Sequence, residues 1–145
     1  MSMSVETKPP SRSYLYVAVT LIAVVLATRV GGLFGFPPTN ISTFWPPNAI
    51  LLAALLLVDE RRGKQCLLLA YPAYVAAELW IGFPLAGSLI FALANCLEVY
   101  VAIHIVRRYA PPPYDLGSLN QLRPAFAAAT VASPIGGLIG AGGVV

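Results

Sequence analysis

Charge is what this chain has least of. Nine Lys and Arg, six Asp and Glu and one His are spread over 145 residues, so charged residues make up only 10%. A soluble domain carries about a quarter, and the charge present here cannot cover a globular surface. Metal-site residues are nearly as scarce. One histidine and two cysteines, Cys66 and Cys96, sit apart in the sequence and lack the clustered spacing of zinc ligands. Both thiols read as free and packed. No Ser/His/Asp set can be built around the single His104. The glycine run GLIGAGG at 137–143 lacks the Lys-Ser/Thr that completes a phosphate loop. The basic residues fall at helix ends rather than on one face, which argues against nucleic-acid binding. No cofactor, metal or catalytic constellation is implied, and an enzyme is not expected.

What the chain does have is apolar sequence: 58% hydrophobic residues and a mean hydropathy of +0.76. Apolar runs recur at lengths near the ~20 residues that cross a bilayer core. The expected fold is all-α: a polytopic transmembrane helical bundle of four to five spans, with the bilayer as its first partner.

The segment at 42–64, STFWPPNAILLAALLLVDERRGK, organises the rest. Trp45 is an amphipathic ring suited to the headgroup level. Pro46 and Pro47 suit a first helical turn, where the backbone N–H groups have no helical partner. An apolar run follows over 49–58, and Asp59, Glu60, Arg61, Arg62 and Lys64 read as its stop. At about 21 Å for 14 residues, this second span, 45–58, is short and must recruit loop residues or thin the bilayer.

Residues 1–13 are polar and read as a disordered cytoplasmic tail, leaving 14–145 as the membrane domain. The first span is 14–34; Lys8 and Arg12 before it would also suit a secretory signal, although an uncleaved anchor serves equally well. Gly31 and Gly35 form a GxxxG spacing, which fits close helix approach within the chain or a homodimer. Residues 35–43 read as an uncharged loop carrying an Asn40-Ile41-Ser42 sequon. The third span is expected over 66–82, with Tyr71, Tyr74 and Trp80 as aromatic anchors and a kink at Pro72. The fourth covers 85–106 and ends on Arg107 and Arg108. A proline-rich loop follows. A fifth span at 126–145 is interrupted by Ser133-Pro134.

Every basic residue except Arg29 falls on alternate loops: Lys8 and Arg12, then Arg61, Arg62 and Lys64, then Arg107, Arg108 and Arg123. Cytoplasmic loops are enriched in Lys and Arg, so the amino terminus is expected in the cytoplasm. Within the spans remain Arg29, Glu78, Glu98 and an interfacial His104. Ionisable side chains there are costly and usually face the bundle interior. Arg29 and Glu78 fall at similar depth, and either pair or snorkel separately to the headgroups. Glu98 lies mid-span with Asn95 one turn before it on the same face. There it serves either in a functional contact or in a structural interhelical hydrogen bond.

The Trp45-Pro46-Pro47 opening of one helix, followed by Asn95-x-x-Glu98 in a later helix ending in arginines, resembles the membrane-associated sensor (MASE) type 1 family. Ala49 stands where glycine is frequent in that family. The resemblance covers residue 14 onward, about the amino-terminal half of such a domain, so the chain reads as incomplete. It implies a multi-pass sensory input domain of the bacterial plasma (inner) membrane. Such domains are joined to a histidine kinase, diguanylate cyclase or phosphodiesterase module, here absent from the sequence. Arg29, Trp45, Pro46, Pro47, Glu78, Asn95 and Glu98 would be its critical residues. A small transporter or channel subunit, with Arg29 and Glu98 along a polar path, and a truncated remnant without activity remain as other readings.

Overall fold

The computed structural model describes residues 10–36, 41–42, 44–110, 112–114 and 118–142. Five helices alternate in direction: α1 (Pro10–Gly32), α2 (Pro46–Leu56), α3 (Glu60–Trp80), α4 (Leu85–Tyr109) and α5 (Leu119–Ala141). A minimal antiparallel ladder, β1 (Gly35–Phe36) with β2 (Ile41–Ser42), pairs Gly35 with Ser42 and Phe36 with Ile41. It falls within the stretch expected as a loop, 35–43, of which residues 37–40 and 43, Asn40 of the sequon among them, lie outside the described residues. The bundle has a hairpin end, where α1, α3 and α5 finish, and an arginine end, where α2 and α4 finish.

Among the described residues, three helical segments are long and apolar enough to cross a membrane: Tyr14–Gly32, Leu85–Tyr109 and Leu122–Ala141. Their outer surfaces are apolar, as the exposure of Leu15, Val19, Ile22, Leu89, Leu93 and Leu138 shows. Lipid-facing helices expose such side chains because no water is there to penalise them. α2 has 11 residues, about 16 Å of rise, shorter still than the expected 14-residue span.

The charged cluster after α2 belongs to the next helix. Asp59 is the N-cap of α3, its carboxylate accepting the Arg62 backbone N–H at 3.0 Å. That N–H bond, ahead of the Arg62 charge, holds the Asp59 carboxyl below its ordinary range. A group lowered in this way stabilises the fold above the ordinary carboxylate range and loses its contribution as pH falls through the lowered value. The third helix therefore starts at Glu60, six residues before the expected Cys66. The fifth is also longer than expected: α5 runs from Leu119 through both Pro124 and Pro134, so Ser133-Pro134 does not interrupt it. At the amino terminus the helix reaches back to Pro10. Residues 10–13 of the expected disordered tail are therefore helical, and its first nine residues lie outside the described ones.

Between α1, α2, α3 and α4 sits a core of Val24, Leu51, Leu55, Cys66, Ala70, Tyr74, Ala92, Val99 and Ile103. Both cysteines are free thiols. Gly31 is buried against α2: a Cβ there would stand 2.9 Å from the Trp45 ring and 3.2 Å from the Phe44 carbonyl. The glycine serves packing within the chain. At the arginine end, Arg107 donates from Nη2 to the carbonyls of Leu55 at 2.8 Å and Val58 at 3.2 Å. A helix leaves its last carbonyls without partners, and α4 supplies them for α2. α5 packs chiefly on α4, where Ala128 and Ala132 meet Ala102 and Val106. These small residues bring the two backbones close.

Candidate intramembrane polar site

The bundle interior holds a connected polar cluster. Pro46 and Pro47 open α2 and set Asn48 in its first turn, facing inward between α3 and α4. The Asn48 Nδ2 donates to Asn95 Oδ1 at 3.1 Å and to Glu98 Oε2 at 2.8 Å. Its Oδ1 accepts the Tyr74 hydroxyl at 2.7 Å. The Trp45 indole Nε1 donates to the same Asn95 Oδ1 at 3.1 Å, and Asn95 Nδ2 donates to Glu78 Oε1 at 3.1 Å. From α5, Ser133 Oγ donates to Glu98 Oε1 at 2.9 Å. An indole N–H can only donate. It therefore fixes the Asn95 amide with its oxygen toward Trp45 and its nitrogen toward Glu78.

The cluster ties α2, α3, α4 and α5 together through side chains with few alternatives. Tyr74 is fully buried, Glu78 is 1% exposed, Asn48 is 8% and Asn95 is 9%. Glu98 is half-buried. Interhelical hydrogen bonds in membrane proteins contribute on the order of 0.6–2 kcal/mol each, so the cluster is a substantial part of the tertiary energy. It is also incomplete. Glu78 Oε2 is buried with no hydrogen-bond partner among the described residues, and buried polar atoms seldom go unpaired.

Among the residues expected from sequence, Trp45, Glu78, Asn95 and Glu98 converge here, and Pro46 and Pro47 shape the approach. Arg29 does not. Its guanidinium lies over the Trp80 ring, 5.3 Å from the centroid. The only ion pairs among the described residues are Asp59–Arg62 and Glu60–Lys64, both at the arginine end. The Arg29–Glu78 pair is therefore not formed: equal depth does not place two side chains at the same angle around the bundle. Nor does Glu78 snorkel, since it is buried. Trp45, expected as a headgroup anchor, is half-buried with its N–H committed inward. Sequence reasoning missed Asn48, Tyr74 and Ser133. Asn48 left a usable signal, being the one amide in the run between Pro47 and Val58.

A cavity of about 420 Å³ opens beside this cluster at the hairpin end, lined by Trp45, Glu78, Phe91, Asn95, Glu98 and Gly136 among others. It lies between the last turns of α3 and α5 and the first half of α4. No protein-family model, curated protein or solved structure matches the chain, so the geometry of this cluster and cavity carries the functional argument.

Proposed function

We propose that the chain is a sensory input bundle of the bacterial plasma membrane, similar to the MASE type 1 domains. In this reading it crosses four to five times, starts in the cytoplasm and biases a cytoplasmic kinase, cyclase or phosphodiesterase module, catalysing nothing itself. The observation that carries the reading is the meeting of its two motifs. Trp45 and Asn48, from the helix opened by Pro46 and Pro47, bond directly to Asn95 and Glu98 of the later helix.

Glu98 makes this cluster suited to signalling. One of its oxygens is held by α2 and the other by α5. Any change that turns its carboxylate alters both attachments together. α5 packs chiefly on α4, so its docking is the element with room for a second arrangement, and a stimulus acts by favouring one arrangement over the other. When the chain is fused to a diguanylate cyclase module, Glu98→Gln should change cyclic dinucleotide output at least threefold in either direction, with unchanged membrane insertion. Equal output from wild type and variant would remove Glu98 from the signalling path.

The orientation rests on the arginine end, where Arg107 reaches α2 and where Arg61, Arg62 and Lys64 open α3. Concentrated Lys and Arg favour the cytoplasmic side. An alkaline phosphatase reporter inserted after Gly35 should accordingly be active, whereas the same reporter after Gly63 should be silent. The reverse pattern would invert the bundle.

A further inference from the structure

The polar cluster has more acceptor oxygens than donors facing them. Its donors, the Trp45 indole, the two Asn amides and the Tyr74 and Ser133 hydroxyls, are all neutral, and each already faces an acceptor. Of the two buried side-chain atoms without a partner among the described residues, Glu78 Oε2 and Ser88 Oγ, the one in this cluster is a carboxylate oxygen, Glu78 Oε2. Two carboxylates therefore share the site with no cation. Arg29 is occupied over Trp80, and the ion pairs among the described residues lie at the opposite end. Buried carboxylates are retained where something pairs with them. Both Glu78 and Glu98 line the cavity of about 420 Å³, a volume within the usual range for small-molecule sites.

Apart from Ser42, Asn95 and Ser133, the rest of the lining is apolar, aromatic or glycine. Ile81, Phe83 and Phe91 face the cavity together with the Trp45 ring, and Phe83 and Phe91 stack edge to face at 5.2 Å between centroids. Gly136 and Gly140 of α5 form a wall without side chains; a Cβ at Gly140 would come within 3.5 Å of the Phe91 ring. Two carboxylates fall short of the three or more ligands that a metal site gathers, and the apolar wall suits an organic body. A ligand of matching chemistry brings hydrogen-bond donors and positive charge at one end and a compact apolar group at the other.

We infer that this cavity binds a small organic cation, a primary ammonium group on an apolar or aromatic body, with Glu78 and Glu98 receiving the ammonium and the Phe83–Phe91 pair receiving the body. The assignment deepens the sensory reading, on which its biological meaning rests, by naming the chemical class of the stimulus.

Trp45 supplies the readout. The chain has two tryptophans, so a Trp80→Phe background leaves Trp45, at the cavity wall, as the sole indole reporter. The full chain in lipid nanodiscs is titrated with 2-phenylethylamine, and in parallel with 2-phenylethanol, which has the same ring and chain but no charge. The amine should change Trp45 fluorescence saturably, with an apparent Kd at least tenfold lower than that of the alcohol. Glu78→Gln and Glu98→Gln, which preserve side-chain size, should each raise the amine Kd at least tenfold while the protein stays monodisperse and helical. Retention of amine binding in the double glutamine variant, or equal saturation by amine and alcohol, would overturn the assignment. If either variant fails to fold, Gly140→Leu, which fills the cavity from α5 without touching a carboxylate, should abolish the saturable change; persistence of that change would overturn it equally. Charge-selective binding with no amine effect on the output of a fused cyclase would support the site and sink the sensory reading. Output sensitive to Glu98→Gln without charge-selective binding would do the reverse.

Discussion

Replacing Asn48 with alanine should cost the folded bundle about 2–4 kcal/mol, the largest loss expected from any single polar side chain in the protein. The amide links three helices. It donates to Asn95 and Glu98 on α4 and accepts from Tyr74 on α3. Alanine removes all three bonds at once and, at 8% exposure, leaves little water to replace them. The abandoned partners are the costly part: the Tyr74 hydroxyl is fully buried, and Glu98 loses the donor on one oxygen. Unpaired buried groups cost on the order of 1–3 kcal/mol each, more when charged. Tyr74→Phe is the graded comparison, removing one donor and leaving the amide in place, and should cost about 1 kcal/mol. Reversible unfolding of the two variants and their double mutant, by titrating dodecyl sulfate into mixed micelles, measures both values and their coupling. An Asn48→Ala loss no greater than that of Tyr74→Phe would mean that the amide does not hold the helices together.

That Asn48 was not anticipated while Asn95 and Glu98 were shows where sequence stops informing. Asn95 and Glu98 sit one turn apart in the largely apolar middle of α4, so helical periodicity alone puts them on one face. Asn48 meets them across 47 to 50 residues of chain, and no local pattern encodes such a pairing. It also adjoins Pro47 in a first turn, where a polar residue is ordinary. Tyr74 was misread for a related reason. An amphipathic ring suits the interface, but it equally suits a buried site that offers a partner for its polar atom, and only the partner distinguishes the two. The cluster Asp59 to Lys64 marked a boundary correctly without telling which helix it served: a charged stop and an N-capped start look alike until the Asp59 carboxylate is seen to accept from Arg62. The long apolar helices α1 and α4 were the legible part, because hydropathy over a span length is set by the bilayer rather than by tertiary contacts.

The second large effect should come from a single methyl group on α5. At Gly136 an added Cβ would stand 2.8 Å from Glu98 Oε2 and 3.3 Å from Glu98 Cβ, whereas at Gly137 it would meet nothing within 4 Å. The first contact can be relieved by turning the carboxylate, but only by breaking its bond to Asn48 or Ser133. The second cannot, since the Glu98 Cβ moves only with the α4 backbone, and α5 must retreat. Overpacking of this kind costs about 1–3 kcal/mol. Gly137→Ala, one residue along the same helix, should be neutral or stabilising by up to about 1 kcal/mol, because alanine loses less backbone freedom than glycine in a helix. The same unfolding titration compares the two, and amide exchange over 133–141 reports the docking of α5 directly. It should quicken in Gly136→Ala and not in Gly137→Ala. A decisive version combines Gly136→Ala with Glu98→Ala. Truncating Glu98 removes the oxygen that the methyl group strikes, so the double variant should lose less than the sum of the singles; the shortfall measures the coupling between the two positions. Additive losses would mean that α5 rests on α4 through its alanines alone, and that the Glu98 carboxylate exerts no leverage on the helix most free to move.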